Sequence, residues 1–143
     1  MAFIETIDIQ DAKGIVKEED EKGIKRSGKV FNILKIMSRS PAALRESMRM
    51  YLAIMFGESD LSRAQREMLA TVVSRVNHCH YWIEAHGDDF RDEVGDSELA
   101  EHLKHNWRNA KLSDQDKALC TWAEKLTLTP GEMNENDIRG LEQ

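Results

Sequence analysis

The stretch LSRAQREMLATVVSRVNH, residues 61–78, constrains the fold more than any other. Met68, Leu69, Val72, Val73 and Val76 recur at the spacing of one helical face. Ser62, followed three positions later by Gln65, forms a capping box that satisfies two N–H groups a helix start leaves orphaned. The opposite side carries Ala70, Thr71 and Ser74, small enough for a second helix to approach closely. A helix apolar on one side and small on the other is covered twice, which predicts a packed helical assembly.

The flanking text repeats the pattern. KVFNILKIM reads as a short helix. In SRSPAALRESMRMYLAIMFG, Ser40 is an N-cap and Pro41 takes the first helical position, where its missing N–H costs nothing. Leu44, Met48, Tyr51, Leu52 and Met55 share a face, and Gly57 ends the helix. Asn77 is placed to cap HCHYWIEAHGDDFRDEVG. Leu99, Leu103 and Trp107 mark a further helix. Ser113 and Asp116 form a second capping box, ahead of Ala118, Leu119, Trp122, Ala123 and Leu126, and Pro130 closes that helix. NENDIRGLEQ begins with a capped turn and shows only Ile138 and Leu141, a tail to be completed by another subunit or abbreviated. With two prolines and eight glycines in 143 residues, the expectation is an all-α bundle of six or seven helices joined by short connections. Residues 1–28 are expected to be an extended arm (FIETIDI) plus a solvated charged segment, ahead of one domain over 29–143.

Composition removes several function classes. A net charge of −6 argues against nucleic acid and weakly against anionic membranes. No stretch approaches the ~20 apolar residues of a membrane helix. Two cysteines cannot make a disulfide framework, and the acidic N-terminus lacks the pattern of a signal peptide. A soluble cytoplasmic protein is expected. There is no Gly-rich phosphate loop, Ser/His/Asp order, paired-cysteine zinc spacing or internal repeat.

Chemistry-bearing residues concentrate in NHCHYWIEAH, residues 77–86. With Asn77 as cap, Cys79 falls at the second helical position, facing the positive end of the helix dipole; an activated thiol and an inert buried cysteine both fit. His86 lies on the same face, but two helical turns put it about 10 Å away, too far for a direct hydrogen bond. The residue one turn before His86 is Trp82. His78 and His80 point about 200° apart on a helix, so no metal site is expected. Glu67 is either an exposed carboxylate paired with Arg63 or Arg66, which the residues alone favour, or a buried proton acceptor of raised pKa. Cys120, beside an apolar face, reads as structural.

These residues carry a resemblance. LSRAQREMLATVVSRVNHCHYWIEAHG is similar to the core motif of the alkylhydroperoxidase D-like and carboxymuconolactone decarboxylase superfamily, especially its peroxidase-related branch. In that motif a Glu precedes Cys-x-x-Cys by twelve positions, and a His follows the second Cys by four. Glu67, Cys79 and His86 match those spacings, and NILKIMSRSPAAL, LSDQDKAL and EKLTLTP extend the likeness over about Gly28 to Leu141.

The resemblance implies an all-helical fold assembled into trimers or hexamers, working without metal or organic cofactor. It implies a small hydroperoxide as substrate, attacked by the second cysteine with help from the His and Glu. The first cysteine then resolves the sulfenic acid, and an external thiol reductant reopens the disulfide. This sequence departs from the motif at Trp82, which stands where the attacking cysteine would be, so no 79–82 disulfide can form.

Three expectations follow from the resemblance. The first is an antioxidant oxidoreductase, impaired or altered, using Cys79 with Glu67 and His86, and lined by Trp82, Tyr81 and His78. The second is a cofactor-free acid/base enzyme of the decarboxylase kind, using His86 and Glu67 on a small carboxylate or lactone. The third is a catalytically silent homo-oligomeric member.

Overall fold

A computed structural model describes residues 3–141. Met1 and Ala2, ahead of FIETIDI, and the last two residues of the tail lie outside the described residues. Eight α-helices are present among them: α1 (Gly14–Ser27), α2 (Asn32–Met37), α3 (Pro41–Phe56), α4 (Arg63–Val76), α5 (His80–Val94), α6 (Ser97–Asn106), α7 (Asp114–Leu128) and α8 (Glu135–Arg139). There is no strand among the described residues. None of these helices is long and apolar enough to cross a membrane. The chain divides into two compact units, Met1–Glu58 and Ser59–Gln143.

The first unit corrects the reading of the charged segment. KEEDEK belongs to α1, which accounts for the helix beyond the six or seven expected. Lys and Glu are good helix formers, and the run conceals an inward seam of Val16, Glu19, Asp20 and Gly23. Glu19 is only 5% exposed yet remains satisfied, because Lys22 donates to it at 2.7 Å and Arg45 of α3 at 3.4 Å. A charge run therefore folds inward where its own helix and the opposing one together supply cations. Ala12, Val16, Val30, Leu34, Leu44 and Met48 form this unit's core. Pro41 opens α3 and Gly57 follows its end as expected, although the Ser40 side chain makes no cap hydrogen bond. Leu44, Met48 and Met55 are buried, whereas Leu52 faces outward.

In the second unit α4 is central, packed against α5, α6 and α7. Its Ser62–Gln65 capping box is formed in both directions. Met68, Val72, Phe90, Ala100, Leu103, Trp107, Leu119 and Cys120 make the core. The small face of α4 is buried too: the Thr71 hydroxyl donates to the Glu67 carbonyl at 2.8 Å and Ser74 to Ala70 at 2.6 Å. Because these hydroxyls are satisfied within their own helix, that face accepts a neighbour without stranding a polar group. Ser113 caps α7 by accepting from the Asp116 N–H at 3.1 Å. The return arm of that box is replaced by the Ser113 hydroxyl donating to the Asp116 carboxylate at 2.8 Å.

The α4–α5 connection differs from the sequence expectation. Asn77 is the C-cap of α4, not the N-cap of α5. His78 takes the left-handed conformation, with φ +54°. Its N–H donates to the Arg75 carbonyl at 3.0 Å, and the Cys79 N–H to the Ser74 carbonyl at 2.9 Å, the double closure of a Schellman motif. Two residues are thus spent on ending α4, which moves the start of α5 to His80 and makes Cys79 its N-cap.

Candidate active site

The tight turn lays α5 back along α4, so side chains distant in sequence meet. Glu67 of α4 is fully buried. Its Oε2 lies 2.6 Å from His86 Nδ1, on α5, and its Oε1 pairs with the guanidinium of Arg63, one turn earlier on α4. The exposed-carboxylate expectation for Glu67 is therefore corrected, although Arg63 is the partner it named. Burial of a carboxylate is tolerable only when charge and hydrogen bonds compensate it, and here a cation and an imidazole do so together.

The His86 side chain is 12% exposed. A carboxylate only accepts, so Nδ1 carries the hydrogen of this bond, and in a neutral ring the lone pair then lies on Nε2. Nε2 has no hydrogen-bond partner among the described residues. Trp82 stacks on the ring, with centroids 5.0 Å apart and planes 20° from parallel. Tyr81 meets Trp82 edge-on at 5.0 Å. His78 sits exposed at the tip of the turn and makes no side-chain hydrogen bond among the described residues.

Cys79 is a free, half-buried thiol at the mouth of α5. Its carbonyl accepts from the Trp82 and Ile83 N–H groups at 3.1 and 3.0 Å, while its side chain makes no cap bond. It does not join the cluster of ligating atoms around Glu67 and His86. The structure therefore brings together Glu67, His86 and Trp82, and leaves Cys79 outside. Cys120 is fully buried in the core, and burial, reinforced by Asp116 and Glu124, pushes its thiol pKa up to about 12.

Sequence reasoning missed Asp89. It follows His86 by three positions, the spacing that puts two residues on one helical face, and that was the signal available. One carboxylate oxygen of Asp89, one of Glu67 and a ring nitrogen of His86 lie within 4.8 Å of one another. Burial raises the Asp89 pKa, the Glu67 charge adds to this, and Arg63 and His86 pull the other way. Among the described residues this is the single such grouping of potential metal ligands. It fits a metal ion poorly, because Glu67 is already engaged by Arg63 and His86, and the guanidinium would repel a cation.

The fold and site define a class: an all-helical protein organised around a two-helix hairpin that buries a carboxylate–imidazole pair. Comparison with known proteins places it within that class. The model of the carboxymuconolactone decarboxylase family matches residues 41–106. The uncharacterised protein YdfG of Bacillus subtilis is 31% identical over 74 residues, 51% of this chain and 50% of that protein. The chain thus spans about half the length of this curated relative.

The crystal structure of an uncharacterised peroxidase-related protein from Silicibacter sp. TM1040 superposes with a TM-score of 0.86 at 33% identity, covering 99% of this chain and 78% of that one. A second uncharacterised peroxidase-related protein, described as an alkylhydroperoxidase AhpD core, from Ralstonia eutropha JMP134, shares the fold. Its TM-score is 0.90 at 22% identity, over 97% of this chain and 73% of that one. The chain belongs to the carboxymuconolactone decarboxylase and alkylhydroperoxidase D-like superfamily, in its peroxidase-related branch.

Proposed function

We propose that this protein is a cofactor-free acid/base enzyme acting on a small carboxylate or lactone, with His86 Nε2 as the base and Glu67 orienting it. The observation that carries this reading is the 2.6 Å bond from His86 Nδ1 to a carboxylate with no solvent exposure. A base held in one tautomer by a buried acceptor presents its lone pair without reorganisation. Nε2 takes a proton from a carbon next to the substrate carbonyl. The resulting imidazolium is stabilised by Glu67, and it returns the proton at the new carbanionic position.

The test is turnover of lactones and unsaturated carboxylates by native protein, His86→Gln and Cys79→Ser. Loss of about two orders of magnitude or more in His86→Gln, with Cys79→Ser unaffected, is expected. Activity that survives in His86→Gln refutes the reading.

Thiol-dependent hydroperoxide reduction is the second reading, favoured by a half-buried free thiol at the N-terminal mouth of α5. There, Cys79 sulfur attacks the peroxide O–O bond, giving a sulfenic acid and an alcohol. Two equivalents of an external thiol then regenerate Cys79 with release of water and a disulfide. Peroxide consumption abolished by Cys79→Ser would select this reading over the first.

A homo-oligomer is part of the proposal. Met50, Ile54 and Phe56 of α3 are 63%, 58% and 52% exposed, apolar area of the kind a second copy would cover. Light scattering that finds a monomer at micromolar concentration counts against it.

A further inference from the structure

We propose that Asp89 is the group through which the buried Glu67–His86 pair exchanges protons with solvent, making the site an open three-membered path. The inference rests on the acid/base reading of His86. A proton on this pair is largely shielded from bulk water: the Glu67 side chain has no exposed surface and that of His86 little.

Asp89 supplies the missing exit. As a whole residue it is exposed, yet one of its oxygens lies within 4.8 Å of both a His86 ring nitrogen and a Glu67 oxygen. Separations up to that limit are within reach of a single water making two hydrogen bonds of about 2.8 Å. The position on α5 also matters, because three residues after His86 the side chain rises over the same face.

The charges facing Asp89 are Glu67 and Arg63 from α4, and His86 and Asp92 from its own helix. Burial and the Glu67 carboxylate raise its proton affinity, and Arg63 and His86 only partly reverse this. Its carboxyl thus holds a proton more readily than an ordinary aspartate does. In the step itself a His86 ring N–H bond breaks and an Asp89 O–H bond forms. The proton then passes to solvent water, with no electron transferred and no other bond changed.

The test needs no substrate. The exchange of the His86 ring N–H protons with water is measured by NMR in native protein, Asp89→Asn and Asp89→Glu. Asp89→Asn is expected to slow exchange about tenfold or more, Asp89→Glu to restore it, and the Nδ1–H resonance of the Glu67–His86 bond to persist in both. Native-rate exchange in Asp89→Asn overturns the proposal. So does equal slowing in Asp89→Glu, or loss of the Nδ1–H resonance, since Asp89 would then be holding geometry instead of carrying protons. Because exchange is read without turnover, absence of enzymatic activity refutes the acid/base reading alone, and unchanged exchange refutes the path alone.

Discussion

The imidazole of His86 lies against the indole of Trp82, 20° from parallel, at the position where the resembling motif carries its peroxide-attacking cysteine. The indole thus occupies the place a reactive sulfur would need. Trp82→Cys removes it and puts a thiol one turn from His86 while Cys79 stays three positions away. We expect Trp82→Cys to consume peroxide in the presence of dithiothreitol at least about tenfold faster than the native chain, as one added nucleophile with a neighbouring base allows. Equal rates would show that the scaffold no longer supports this chemistry.

The two thiols differ in environment and are expected to differ in reactivity. Cys120 has no exposed surface and a thiol pKa pushed up to about 12, whereas Cys79 is half-buried at the α5 mouth. Native protein should therefore release one equivalent of chromophore from a thiol reagent at about pH 8, and two after denaturation. Cys79→Ser should release none until unfolded. Rapid labelling of Cys120 in the native state would contradict the core placement.

Gly87 is held by packing, with no demand for unusual backbone angles. A Cβ there would lie 2.4 Å from Lys104 Cε, 2.6 Å from Cγ and 3.0 Å from Cδ. The lysine cannot simply swing away, because it is 6% exposed and its ammonium binds Asp88 at 2.8 Å and Glu84 at 3.0 Å. Gly87→Ala should cost about 1–3 kcal/mol in chemical denaturation, as overpacking does. In a Lys104→Ala background the same substitution should cost little, and additivity of the two would show that they do not meet.

Asp20 gives a pH dependence with a definite sign. Burial raises its carboxyl pKa, Lys35 opposing only in part. The folded chain therefore binds this proton more tightly than the unfolded chain. The stability it contributes is complete below the unfolded pKa and is lost as pH rises through the folded one. Asp20→Asn keeps the neutral form at every pH. Its thermal midpoint should exceed that of the native chain at about pH 7 and coincide with it at about pH 3. A lower midpoint at neutral pH would mean that the Lys35 attraction outweighs burial.

Much of the scaffold was legible because it is written locally. The Ser62–Gln65 box, Pro41 at its helix start and the apolar stripe centred on Met68 and Val72 are short-range features that act within a turn or two of chain. The contact between Trp82 and His86 was legible for the same reason, since residues four apart on a helix face each other. The start of α5 was not. Asn77 has the chemistry of an N-cap, but a left-handed His78 closing α4 leaves that role to Cys79.

By itself, the sequence determined the helical class, most helix boundaries, and the substitution of an indole for a thiol beside His86. Only the tertiary structure decided which charges would be buried. Periodicity placed Glu67 off the apolar stripe, and off-stripe carboxylates ordinarily face water. α5 supplied His86 to it, and Arg63 closed the other side. Glu19 and Asp20 entered the first unit's core by the same logic, with Arg45 and Lys35 opposite them. The free energy of a buried carboxylate depends on the cations and donors around it, and those that come from other helices are brought by packing, not by spacing along one segment.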